Sequence, residues 1–257
     1  MDAQGFYDVL GDDYDRMVSW EDRLAREERF FRGFFESHGV RRVLDCACGT
    51  GMHAVAFARW GLVSAAADLS PVMVEHARAN ARAAGVSVDL RVAGFGEMKV
   101  SFEGKFDAVT CLGNSLPHLR EDAALGACLA DFHAIMRPGG ILVVQNRNYD
   151  RLLRERERFM PVTARTDPDG ETLFLRITDF SPRESDESID FTLVTLRRKG
   201  GVWSQSARST PLRALRRATL EGALAAAGFS SLEAFGGYGG APFDSQGSSD
   251  LVIVARA

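Results

Sequence analysis

The sequence of 257 residues holds no apolar run near the ~20 residues a membrane helix requires, so no membrane span is expected. Its opening stretch, MDAQGFYDVLGDDYD, is acidic and lacks the apolar centre of a signal peptide; nothing marks it for export, and a cytoplasmic location is expected. There is no long basic tract, and the formal net charge of −4 argues against a general nucleic-acid binder. Cysteine is scarce. The four are Cys46, Cys48, Cys111 and Cys128, and a lone C-x-C lacks the paired spacing of a zinc site. Neither a disulfide nor a metal is therefore expected. No internal repeat occurs, and no convincing Asp–His or Cys–His pair suggests a dedicated catalytic base.

What is present is ample apolar content, 46%, enough for one α/β domain with an insertion or two small domains. The organising stretch is Val43 to Gly51, VLDCACGTG. A short apolar run, an acid (Asp45) and a small-residue loop lead into a helical segment. Strand, glycine loop and helix in that order form a nucleotide-binding turn, because backbone N–H groups and the helix N-terminus face the ligand. Gly49 and Gly51 permit tight turning and close approach. Asp68 ends the next apolar run, where an acid can accept hydrogen bonds from ribose hydroxyls. Gly49 to Ala54 also fits G-x-G-x-x-A, which leaves a dinucleotide dehydrogenase open. Asp45, however, would oppose a diphosphate and suits the cationic end of S-adenosylmethionine (SAM).

Residues 1–40 read as helical, with Leu24, Phe30, Phe31, Phe34 and Phe35 at helical spacing and Gly39 closing the segment. Tyr7, Tyr14 and Trp20 precede that stripe and are placed over the site as a lid. Strands are expected near 42–46, 63–67, 86–92, 106–112 and 141–146, and helices near 51–60, 71–84 and 121–136. This alternation predicts a doubly wound parallel sheet. After Tyr149 the pattern changes. Residues 151–158 read as a charged helical piece, 173–180, 189–196 and 202–210 as antiparallel strands around the polar region 181–188, 219–227 as a helix, and 229–235 and 250–257 as two last strands. Residues 236–249 read as a flexible connection. The expected division is an N-terminal helical lid (1–40), a cofactor-binding α/β core (41–150), an inserted antiparallel subdomain on the substrate side (151–212), and a closing helix with two core strands (213–257).

Ligands in open α/β sheets bind beyond the carboxyl ends of the strands. There the chain carries Ala93-Gly94-Phe95-Gly96, small enough for adenine to approach, with Phe95 available for stacking. It also carries Cys111-Leu112-Gly113-Asn114-Ser115-Leu116-Pro117-His118-Leu119 and Gln145-Asn146-Arg147-Asn148-Tyr149-Asp150. An arginine at a strand end is suited to hold a carboxylate through two parallel hydrogen bonds.

VLDCACGTG, CLGNSLPHL and RPGGILVVQNRNYD together resemble the glycine N-methyltransferase and glycine/sarcosine N-methyltransferase family over about residues 20–150. The resemblance implies a class I, Rossmann-like methyltransferase fold, SAM as cofactor and a small amino acid or similar carboxylate-bearing amine as substrate. It makes Asn114 and Arg147 the catalytic, acceptor-holding pair, with Tyr149, Tyr14 and Trp20 around the substrate. Arg23 would meet the methionine carboxylate of SAM. Asp45, Ala47, Gly49, Gly51, Asp68, Leu69, Met73, Gly94, Phe95, Leu112, Ser115 and His118 complete the implied cofactor site. The family's Asn-Trp beside adenine is Gly94-Phe95 here. A stretch matching one of its tyrosines carries Arg213, Arg216 and Arg217, which points to a larger or more anionic acceptor. Methylation of a natural-product scaffold and a SAM-sensing module without turnover stay open as alternatives, as does a homo-oligomer.

Overall fold

The structure is a computed structural model that describes residues 3–168, 170–181 and 187–257. The chain begins with α1 (Ala3–Met17) and α2 (Trp20–Ser37), then β1 (Arg42–Cys46), α3 (Met52–Arg59), β2 (Val63–Asp68), α4 (Pro71–Ala84), β3 (Val88–Val92), α5 (Met98–Ser101), β4 (Phe106–Cys111), α6 (Asp122–Ile135), β5 (Met136–Arg147) and α7 (Tyr149–Glu155). It continues through β6 (Thr163–Asp167), β7 (Gly170–Phe180), β8 (Ser188–Lys199), β9 (Val202–Arg213), α8 (Arg217–Ala226), β10 (Ser230–Phe235) and β11 (Asp250–Arg256). A seven-stranded sheet has the order β10-β11-β5-β4-β1-β2-β3; β6 to β9 form a separate four-stranded antiparallel sheet. All pairings among β1 to β5 are parallel, while β11 runs antiparallel between β5 and β10. No helix among the described residues is long and apolar enough to cross a membrane.

The central strands are buried on both faces, which is why they read as apolar runs without alternation. Phe30, Phe31 and Phe35 of α2 cover one side of this sheet, packing with Val43, Phe57, Val143 and Val252. Leu24 of the same stripe lies only half-buried. α4 starts where its sequence says it should: Ser70 Oγ accepts from Met73 N at 3.1 Å and Pro71 takes the first turn. It stops at Gly85, in the left-handed region at φ 67°.

Two elements differ from expectation by omission. β6, Thr-Ala-Arg-Thr-Asp, is a polar edge strand with no apolar alternation to betray it. α5 is a single turn whose first N–H groups, Met98 and Lys99, are held by the carboxylate of Asp131 at 2.7 and 3.0 Å. The stretch 236–249 is bonded rather than loose. Asn148 Nδ2 donates to the carbonyls of Asp244, Ser245 and Ser248, and Tyr238 packs its ring among Phe30 and Phe31. The expected polar region 181–188 falls largely on residues 182–186, outside the described residues.

Gly51 also has a different task from the one expected. It lies at φ 75°, and a Cβ there would meet the Cβ of Ala77 at 2.7 Å. The glycine thus lets α3 press against α4 rather than admit a ligand. Gly51→Ala is expected to cost about 1–3 kcal/mol, the scale of overpacking a tight contact, read as a lower unfolding midpoint in denaturant.

Candidate active site

β1 and β4 are neighbours whose crossovers leave in opposite directions, so a cleft opens at their carboxyl ends. It encloses about 360 Å³ and is lined by Ala47, Gly49, Asp68, Leu69, Gly94, Phe95, Leu112, Ser115 and His118, nine of the residues expected to hold the cofactor. The glycine loop is drawn to the end of β2: Asp68 accepts from Gly49 N at 2.8 Å and, through its other oxygen, from Ser70 N at 2.9 Å. Glu97, which the sequence reading did not single out, accepts from Gly94 N at 2.7 Å and fixes the third turn. Ser115 Oγ donates to the carbonyl of Leu112 at 2.9 Å, so its hydroxyl shapes the floor.

A second cavity of about 780 Å³ lies beside the first, between the sheet ends, α1, α2 and the antiparallel sheet. Arg23, Asn114, Arg147, Tyr149 and Tyr14 line it. Tyr7, Tyr14, Gly113 and His118 face both spaces. Asn114 and Arg147 are bonded to each other rather than set apart across the cavity. Asn114, left-handed at φ 67°, accepts from Arg147 N at 3.0 Å and donates to Tyr149 Oη at 2.9 Å. It clasps the β5 end from the adjacent strand and thereby aims Arg147. The guanidinium Nη1 reaches only Thr178 Oγ1, at 3.5 Å, and no carboxylate stands within 4 Å of it among the described residues.

A methyltransferase-domain family matches residues 43–140. Over that stretch the chain is similar to a methyltransferase domain. The glycine/sarcosine N-methyltransferase of Parasynechococcus marenigrum (strain WH8102) is 37% identical over 150 residues, 58% of this chain and 53% of that protein. Human glycine N-methyltransferase is 33% identical over 150 residues, 51% of this chain and 49% of that protein. The chain spans about half the length of the curated relatives it matches. A crystal structure of an S-adenosylmethionine-dependent methyltransferase from Clostridium acetobutylicum shares the whole fold, with a TM-score of 0.78 at 16% identity over 98% of this chain and 97% of that one.

Several expected site residues do other work. Met73 is fully buried among Phe6, Leu10, Phe174 and Leu193, where α1 meets the antiparallel sheet; it touches neither space. Trp20 also lines neither. Its indole Nε1 donates to Asp15 at 2.7 Å, and Asp15 in turn accepts from Thr50 of the glycine loop. Arg23 lines the larger cavity but is engaged by Glu27 at 2.8 Å, and Glu27 also binds His53 at 2.6 Å. Asp45 lies sealed at the end of β1, opposite Thr110 in register, and accepts from that hydroxyl at 2.7 Å. Burial pushes its carboxyl above the ordinary value, against the pull of His53 and Thr110. Arg213, Arg216 and Arg217 are paired with Asp122, Glu187 and Glu221, so they do not explain an anionic acceptor.

His118 Nε2 and Tyr7 Oη share a hydrogen bond of 3.2 Å. Burial lowers the imidazole from 6.5 to about 4, so the ring is neutral at pH 7. Between about pH 4 and 6.5 the unfolded chain then binds more protons at this residue than the folded one. Stability should therefore rise with pH across that window, and His118→Gln should flatten the slope in urea titrations at successive pH values.

Proposed function

We propose that the protein transfers a methyl group from SAM to the amino group of a small, carboxylate-bearing amine. The observation that carries the reading is Arg147, aimed by Asn114 into the larger cavity with no carboxylate partner among the described residues. The relatives named for glycine and sarcosine N-methylation support the substrate class.

The smaller cleft fits the adenosine end of SAM. Its carboxylate stands at the end of β2, Gly94 brings backbone close to Phe95, and the glycine loop leaves room above. Asp45, expected at the cationic end, lines neither space; its Oδ2 is buried without a hydrogen-bond partner, a costly state that a bridging water would relieve. Bound SAM supplies an electrophilic methyl group on a sulfonium. The residues supply position: Arg147 holds the acceptor's carboxylate, and the wall of Tyr7, Tyr14, Gly113 and His118 limits where its amine can lie. Such orientation can supply several kcal/mol of the barrier, up to about 7–11 in well-oriented systems.

The amine must be neutral to attack, and a His118 held near 4 is a weak base at neutral pH. Turnover should rise with pH as the free amine grows, then level off. His118→Gln should cost less than about a hundredfold in kcat, the low end of what a proton-transferring residue contributes. Incubation with labelled SAM and a panel of amino acids tests the whole reading. Methylated amino acids bear it out. Methylation confined to phenols or carboxylate-free amines would favour a natural-product acceptor, and SAM binding without any turnover would favour a sensing module.

A further inference from the structure

The acceptor's charge can be read one step further on the basis of that proposal. Three guanidinium groups on the wall of the larger cavity have no anionic partner among the described residues: Arg26, which is exposed to solvent, and the half-buried Arg147 and Arg176. Arg176 lies on β7, two residues before Thr178, the hydroxyl that Arg147 reaches. Alternate residues of a strand share a face about 6.6 Å apart, so the two cations stand side by side over one space. Arg176 is anchored from behind by neutral acceptors only, the carbonyl of Pro161 at 3.0 Å and the hydroxyl of Thr163 at 3.1 Å. Its Nε is buried without a partner.

Neither of the cavity's own acids pairs with Arg147 or Arg176. Glu27 is bonded to Arg23 and His53, and Asp250 accepts from Gln145 at 2.8 Å and Ser249 at 2.8 Å. By contrast, Arg197 and Arg198 of β8 pair with Asp13 and Glu171, and Arg158, ahead of β6, pairs with Asp179. Burial, and after it the charge of Arg147, lowers the pKa of Arg176, as expected of two cations facing one space. One carboxylate leaves such a pair under-neutralised; two anionic groups satisfy it. The volume of about 780 Å³ also exceeds what glycine can fill.

We propose that the acceptor is an amine carrying two anionic groups, an α-carboxylate on Arg147 and a second carboxylate or a phosphate on Arg176. The test uses the full chain, labelled SAM, and matched pairs differing in one charge: aspartate and asparagine, glutamate and glutamine, phosphoserine and serine. At least one anionic member should exceed its neutral partner in kcat/KM by about tenfold or more, and the pair that does so separates carboxylate from phosphate. Arg176→Met should bring that ratio close to one, and Arg176→Lys should retain part of it. Calorimetric titration of each pair into protein saturated with S-adenosylhomocysteine reads the same preference without turnover and shows that the variants are folded.

Equal use of charged and neutral members by the wild type overturns the inference. So does an Arg176→Met variant that weakens all acceptors equally, or one that weakens S-adenosylhomocysteine. Neutral amino acids methylated without preference remove this inference alone. A panel in which no amino acid binds or reacts removes the proposed function with it.

Discussion

Arg147→Lys is expected to lose nearly as much kcat/KM as Arg147→Ala. Lysine keeps the charge but not the planar fork that meets a carboxylate with two hydrogen bonds. Severing one partner of a desolvated charge pair costs on the order of 2–5 kcal/mol, roughly thirtyfold to a few thousandfold in rate. S-adenosylhomocysteine affinity should survive, because Arg147 lines the larger cavity and not the cleft of the glycine loop. A chemical change should mirror the genetic one: amidating the acceptor's carboxylate should cost the wild type about as much as the mutation. A variant that keeps wild-type kcat/KM would make Arg147 a structural residue.

Asp68→Ala should weaken SAM by about 1.5–3 kcal/mol, the scale of hydrogen bonds to a charged group, or roughly 10- to 150-fold. Part of that loss comes from the loop, since Asp68 also accepts from Gly49 N and Ser70 N. Asp68→Asn should fall between, because its amide oxygen can serve only one of those donors. Burial raises the carboxyl above its ordinary value, with the hydrogen bonds from Ser70 and Gly49 opposing. Affinity should therefore decline as pH falls and the carboxylate is protonated. Calorimetry across pH checks both; unchanged affinity in Asp68→Ala would remove the ribose role.

How far the chain could be read beforehand depended on how local each cause was. The parallel core follows from short apolar runs, and α4 from Ser70, Pro71 and Gly85, each acting within one turn of itself. The loop at Val43 to Gly51 and the acid closing β2 were legible for the same reason. Met73, Gly51 and Trp20 were not, because their tasks are set by partners distant in sequence: the inserted sheet for Met73, Ala77 for Gly51, Asp15 and the glycine loop for Trp20. Asn114 and Arg147 were found by residue type, but their mutual grip depends on β4 lying beside β5. Arg176 left a faint mark. It shares strand parity with buried Phe174 and Thr178, so a cation was heading inward in LFLRITDF.

The wall of Tyr7, Tyr14, Gly113 and His118 belongs to both spaces, and this has a thermodynamic consequence. The occupant of one space is part of the surface met by the occupant of the other. Around a closed cycle of binding steps the free energy sums to zero. By whatever factor S-adenosylhomocysteine changes the affinity for the amine, the amine changes the affinity for S-adenosylhomocysteine by the same factor. A spent donor that favours the amine is thus itself retained more tightly while the amine stays bound, and one that disfavours it is expelled by the next acceptor to arrive.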